Sequence, residues 1–200
     1  MTQVYCLPGG VPGEFAARYF GRPRLANLYG LLSRPVRVAS TEDPATRIPP
    51  FVERIWMPAY AIRIQAATRK DSNSVWTSVD GWSGQCAIMD CSDQLVEWEL
   101  DEDCMPPKLE ETEAVKAARK GLLRFILSQR GQMNKPDIGA VEEIRLYHFP
   151  LWVYYHHRRF GKRLDIKVLD GCTGKSAGAK MRIALINALV AAKKAKTQPA

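Results

Sequence analysis

Residues 163 to 169 set Arg163, Asp165 and Lys167 against Leu164, Ile166 and Val168, the alternation of a strand with one covered face. Residues 151 to 157 are almost all aromatic, β-branched or imidazole, and "RRFGK" between the two runs offers Gly161 for a tight connection. The pattern predicts an antiparallel hairpin, and the chain writes it twice. When residues 55 to 84 are laid over 147 to 174, Pro58 falls on Pro150, Tyr60 on Trp152 and Ile62 on Tyr154. After a polar turn two residues longer in the first copy, Asp80, Gly81, Ser83 and Gly84 fall on Asp170, Gly171, Thr173 and Gly174. A length difference confined to a turn is what a hairpin tolerates. The closing Asp-Gly-x-(Ser/Thr)-Gly supplies two glycines for unusual backbone angles and an Asp for an Asx turn. Pro58 and Pro150 lack an N–H for a ladder, so each is expected at a bulge, a strand start or an edge, bending a long strand.

Helical periodicity surrounds the hairpins. Residues 110 to 130 place Glu110, Glu111 and Glu113 at the start and Arg130 at the end, with Val115, Ala118, Leu122, Phe125 and Ile126 recurring at helical spacing. Residues 177 to 194 put Met181, Leu185, Ile186, Leu189 and Val190 on one expected core face and close with Lys193 and Lys194. Residues 14 to 32 read as helix interrupted by Pro23, "QCAIMD" and "LVEWEL" as short strands, and residues 40 to 50, "STEDPATRIPP", as a linker.

The 200 residues are 46% hydrophobic, enough for one substantial core or two small ones. No run of about 18 apolar residues suggests a membrane span and the start does not resemble a signal peptide, so the expectation is a soluble cytoplasmic protein. Five scattered cysteines fit reduced thiols better than a disulfide framework. The formal net charge of +8 is uneven, because residues 90 to 113 carry ten carboxylates against the single Lys108. The remainder is strongly basic, which attracts nucleic acid, anionic lipid or an acidic partner without naming one.

Candidate chemistry is sparse. "GCTGKS" resembles a phosphate loop, but the loop needs four residues between its glycines, whereas Gly171 and Gly174 enclose two and Leu169 stands where the first glycine belongs. The first copy ends in Gly-Gln, so the turn recurs without its lysine. Cys86, Cys91 and Cys104 have loose zinc spacing and no following Cys or His pair. His148, His156 and His157 are the only histidines, and no nucleophile, base and acid can be assembled from the sequence. Rings beside basic residues are a single-strand nucleic-acid pattern, yet they repeat in the first hairpin where basic residues are fewer, so packing is their first role.

The hairpin ending in Asp-x-x-(Ser/Thr)-Gly and preceded by a helix resembles PepSY domains and, more broadly, cystatin-like α+β folds, over Ile62 to Gly84 and Tyr154 to Gly174. The resemblance implies a non-catalytic binding or regulatory module, and no functional residue carries over from it. The chain departs from it in Pro58 and Pro150 and in the helix after the second turn.

The resulting expectation is an α+β protein of two pseudo-symmetric helix-plus-antiparallel-hairpin units, residues 1–108 and 109–200, with helices packed on the sheet. Its function is read as a non-catalytic binding or adaptor protein with a protein or peptide partner and no cofactor. The alternatives are a basic nucleic-acid-binding protein and, third, a cysteine- or metal-dependent enzyme. The expected contact surface is the second hairpin, through His156, His157, Arg158, Arg159, Lys162 and Arg163, where exposed rings and basic residues would form a hot spot.

Overall fold

A computed structural model describes residues 4–21, 33–37, 51–67, 72–99, 104–130, 137–158 and 164–197. The protein is α+β. Its strands are β1 (Val4–Cys6), β2 (Ser33–Pro35), β3 (Val52–Ala67), β4 (Ser72–Asp80), β5 (Cys86–Ile88), β6 (Val96–Glu97), β7 (Asp137–Arg158) and β8 (Leu164–Asp170). Its helices among the described residues are α1 (Gly13–Gly21), α2 (Glu111–Arg130) and α3 (Ala179–Thr197). Strand neighbours run β5-β4-β3-β7-β1-β6, with β2 and β8 also on β7. Both expected hairpins form: β3 pairs antiparallel with β4 from Ala59↔Asp80 to Ala67↔Ser72, and β7 with β8 from Leu151↔Asp170 to His157↔Leu164. Each ladder starts one residue past its proline. Pro58 and Pro150 lie inside the strands β3 and β7, and their carbonyls accept from Gly81 and Gly171 at 2.9 Å. The proline therefore marks where the ladder closes, and its missing N–H is not needed there.

The chain divides into two compact units, and neither is a continuous stretch. The first comprises residues 1–8, 57–149 and 187–200, the second 9–56 and 150–186. In the first, Ala114, Ala118 and Leu122 of α2 pack on Tyr60, Ile62, Ile64 and Val79 of the first hairpin. Gly121 lets α2 approach β5, since a Cβ there would fall on the Cys86 side chain. The opposite side of this sheet covers Ala59, Ala61 and Tyr147 with Met89 and Leu95. In the second unit, Ala16 and Phe20 of α1 pack with Val52, Trp152 and Leu169. The division at 108/109 read from the sequence thus differs from the compact units. Each hairpin is covered by a helix that is not the one before it in the sequence, because an apolar stripe records that a helix has a buried face and not which sheet it meets.

Other expectations are met in part. "QCAIMD" contributes β5 and "LVEWEL" contributes β6. The helix expected over 14–32 is seen as α1 to Gly21; residues 22–32, with Pro23, and the linker 40–50 lie outside the described residues. Phe125, expected in the core, is 45% exposed on α2 although it follows Leu122 by three positions on the same stripe; the fully buried positions of that stripe, Ala114, Ala118 and Leu122, end before it. The larger correction concerns α3, whose buried residues are Ala184, Leu185 and Ala188, leaving Ile186 and Val190 outside. All five cysteines are free thiols. No helix among the described residues is long and apolar enough to cross a membrane.

Candidate functional site

The second hairpin brings its rings inward. Trp152 is buried and donates its indole N–H to the Val11 carbonyl at 2.9 Å. Tyr154 stacks on Phe20 at 5.4 Å between centroids and on His156 at 5.5 Å, with Phe51 edge-on and the Lys167 ammonium 5.8 Å above its ring. His156 sits in β7 opposite Asp165 on one edge and Pro35 on the other, and is buried. Tyr155 is buried with its hydroxyl 2.8 Å from Glu53, and burial first, then the Glu53 charge, pushes its pKa up. These groups are core, which corrects the expectation of exposed rings. The period-two pattern puts 152, 154 and 156 on one face, and α1, remote in sequence, covers that face. Of the six predicted contact residues, His157 is exposed opposite Leu164. Arg158 ends β7, and Arg159, Lys162 and Arg163 lie outside the described residues.

The two repeated turns are built alike, bond for bond. Asp80 Oδ1 accepts from the N–H groups of Trp82 and Ser83, and Asp170 Oδ1 from those of Cys172 and Thr173. Gly84 N–H reaches the Asp80 carbonyl and Gly174 N–H the Asp170 carbonyl, both at 2.9 Å. Gly84 at φ 67° and Gly174 at φ 68° occupy the left-handed region that favours glycine. Each turn also receives the start of a helix: Leu109 N–H donates to the Gly81 carbonyl ahead of α2, and Val11 N–H to the Gly171 carbonyl ahead of α1. Tyr60 hydroxyl donates to the Leu109 carbonyl where Trp152 indole donates to that of Val11. Lys175 follows such a turn, its carbonyl accepting from Asp170 N–H, and Ser176 bridges to Leu169. The helix α3 begins only at Ala179. "GKS" is therefore strand exit rather than a phosphate cradle.

His148 and three of the thiols are held in the structure. His148 is 1% exposed, with Nε2 3.1 Å from the Met105 carbonyl and its ring edge-on to Trp98. Burial pulls its pKa down, with the Met105 bond opposing in part. Burial pushes the thiols of Cys6, Cys86 and Cys91 up, away from the thiolate that a nucleophile or metal ligand needs. Among the described residues no three His, Cys, Asp or Glu side chains gather as a metal site. On the sheet surface, Glu142 pairs with Arg63 at 2.9 Å and accepts from Gln65 and Ser74, bonds that hold its pKa down. Arg145 lies 5.2 Å over both Tyr5 and Trp76 and pairs with Glu143. Both clusters satisfy themselves. No family model, curated protein or solved structure matches this chain.

Among the described residues, the outer side of α3 carries a row of exposed aliphatic side chains. A helix fixes the spacing of its own side chains, and Ile183, Ile186 and Val190, at i, i+3 and i+7, share the face opposite Ala184, Leu185 and Ala188. They are 55%, 37% and 49% exposed. Lys180 lies beyond one end of this row, and Lys193 and Lys194 beyond the other, all exposed. The sequence of α3 holds five basic residues and no acidic one. Ile186 and Val190, expected in the core from their spacing, lie outside it; α3 carries two apolar stripes where a core needs one, and that doubling is the signal in the sequence that marks an exposed row.

Proposed function

We propose that this chain is a non-catalytic binding or adaptor protein that meets another protein through the outer face of α3. The observation that carries the reading is the second, exposed apolar row of Ile183, Ile186 and Val190 set among lysines. Contiguous exposed aliphatics are kept where a partner covers them. The architecture fits a scaffold: two copies of a helix-plus-hairpin unit whose helices are exchanged, α1 serving the second hairpin and α2 the first. The matching turns at Gly81 and Gly171 support this duplication, and they are also the part on which a PepSY-like or cystatin-like ancestry rests. The rings that would stack on bases, Trp152 and Tyr155, are buried, which favours a protein partner over single-stranded nucleic acid.

A photo-crosslinking residue placed at Ile186, with the same residue at exposed Arg119 on α2 as control, tests the reading in the native cell. A discrete protein adduct at 186 and none at 119 is the expected result. Adducts with nucleic acid alone, or no adduct at 186, would overturn it.

A further inference from the structure

We propose that His148 is a proton-operated latch on residues 105–109, the stretch that leads into α2: a second proton on its ring frees this stretch while the sheet stays paired. The Met105 carbonyl can only accept, so the His148 Nε2 that lies 3.1 Å away carries the hydrogen and donates it. Nδ1 is then the bare nitrogen, and it is buried with no hydrogen-bond partner among the described residues. A proton arriving there makes an N–H without an acceptor and a cation without a counter-ion, both costly out of water. The neighbouring strands offer neither. Cys6 is the register partner of His148 on β1, and burial pushes its thiol up. On β6 Val96 pairs with Cys6, Trp98 sets its ring edge-on to His148, and Glu97 pairs with Tyr5 and so alternates to the opposite face. From Trp56 to Ile62, β3 holds Tyr60 and no charged residue. The stretch itself brings Lys108 and follows Cys104, and the carboxylates of Glu110 and Glu111 at the start of α2 act on Tyr60.

A charged ring therefore needs water, and the weakest cover over it is residues 105–109. None of residues 104–110 is buried, whereas β7 carries buried Tyr147, Leu151, Trp152 and Val153 around His148. Besides the Met105 bond, the stretch is held by Lys108 and Leu109 N–H groups on the Gly81 carbonyl, by the Trp82 indole on the Pro106 carbonyl and by the Tyr60 hydroxyl on the Leu109 carbonyl. A short, half-exposed stretch on a handful of bonds opens at less cost than the whole fold. The sign of the pH dependence follows from burial. The closed ring has its pKa below the ordinary 6.5, and the opened, solvated ring regains that value. The opened form takes the proton first as pH falls, so opening is rare above about 6.5, grows below it and levels off once pH passes the closed-state pKa.

Amide hydrogen exchange of the full-length chain at pH 7.5 and 5.5, corrected for the intrinsic exchange rate, tests the latch. The amides of Lys108 and Leu109 should lose protection at the lower pH, by up to about tenfold for one group with an open-state pKa near 6.5. Those of β3 between Tyr60 and Ile64 should keep theirs. His148→Gln retains a side-chain N–H for the Met105 carbonyl and removes the titrating ring, so protection of 105–109 should then be equal at the two pH values. The parent chain supplies a second reading that needs no variant: the His148 ring nitrogens, followed by NMR, should titrate with the same midpoint as the loss of protection. Protection of 105–109 that does not change with pH would overturn the proposal. So would an equal loss in β3, which is global unfolding, or a folded His148→Gln chain that keeps the pH response of the parent.

Discussion

Trp152 donates its indole N–H to the carbonyl of Val11, 141 positions earlier in the chain. The bond holds the start of α1 against the second hairpin while the ring packs with Ala16, Phe20 and Leu169. In Trp152→Phe the Val11 carbonyl loses this donor and the smaller ring leaves space in the core. A loss of about 2–4 kcal/mol is expected from the unmade bond together with the cavity. Urea unfolding should show it as a lower midpoint, and an unchanged midpoint would mean that α1 does not depend on this contact.

The close approach of each turn to its proline gives a second expectation. A Cβ on Gly171 would lie 2.7 Å from the Pro150 carbonyl oxygen, and one on Gly81 would lie 2.8 Å from that of Pro58. Either Gly→Ala change forces backbone apart and should cost about 1–3 kcal/mol, the range of overpacking. Gly10→Ala is the control, because the nearest atom to its added Cβ is 3.9 Å away. Thermal melts of the three variants should rank Gly10→Ala close to the parent and the other two well below it.

His148 sets a pH dependence whose sign follows from its burial. Its folded pKa lies below the ordinary 6.5, so the unfolded chain takes up the proton first as pH falls. Stability is then full above the unfolded value, declines as pH drops below it, and levels off once pH passes the folded pKa. In His148→Phe this part of the decline should vanish, and melting temperature against pH should be flatter in the mildly acidic range. A parallel slope in parent and variant would assign the acid sensitivity elsewhere.

Lys175 is exposed and follows a turn whose twin ends in Gln85. Lys175→Ala should change stability by no more than about 0.5 kcal/mol, as for an ordinary surface site. Calorimetry with ATP and GTP should give no saturable heat for parent or variant. Nucleotide binding lost in the variant would reverse the reading of "GKS" as a strand exit.

The hairpins and their turns were legible in the sequence because their causes are local. A period-two run, a proline with no N–H, an Asp that caps its own turn and a glycine at positive φ each act within a few residues. The duplicated pattern made the reading stronger, and the amphipathic stripe of α2 was likewise visible in its spacing. The tertiary structure decided everything that needed a partner from far along the chain. It matched α1 with the second hairpin and α2 with the first, since an apolar face packs against whichever sheet reaches it. It buried Trp152, Tyr155 and His156, which in sequence stand beside basic residues like a contact surface. On α3, periodicity could not choose between two apolar sides, and only packing around Ala184, Leu185 and Ala188 left Ile183, Ile186 and Val190 facing outward.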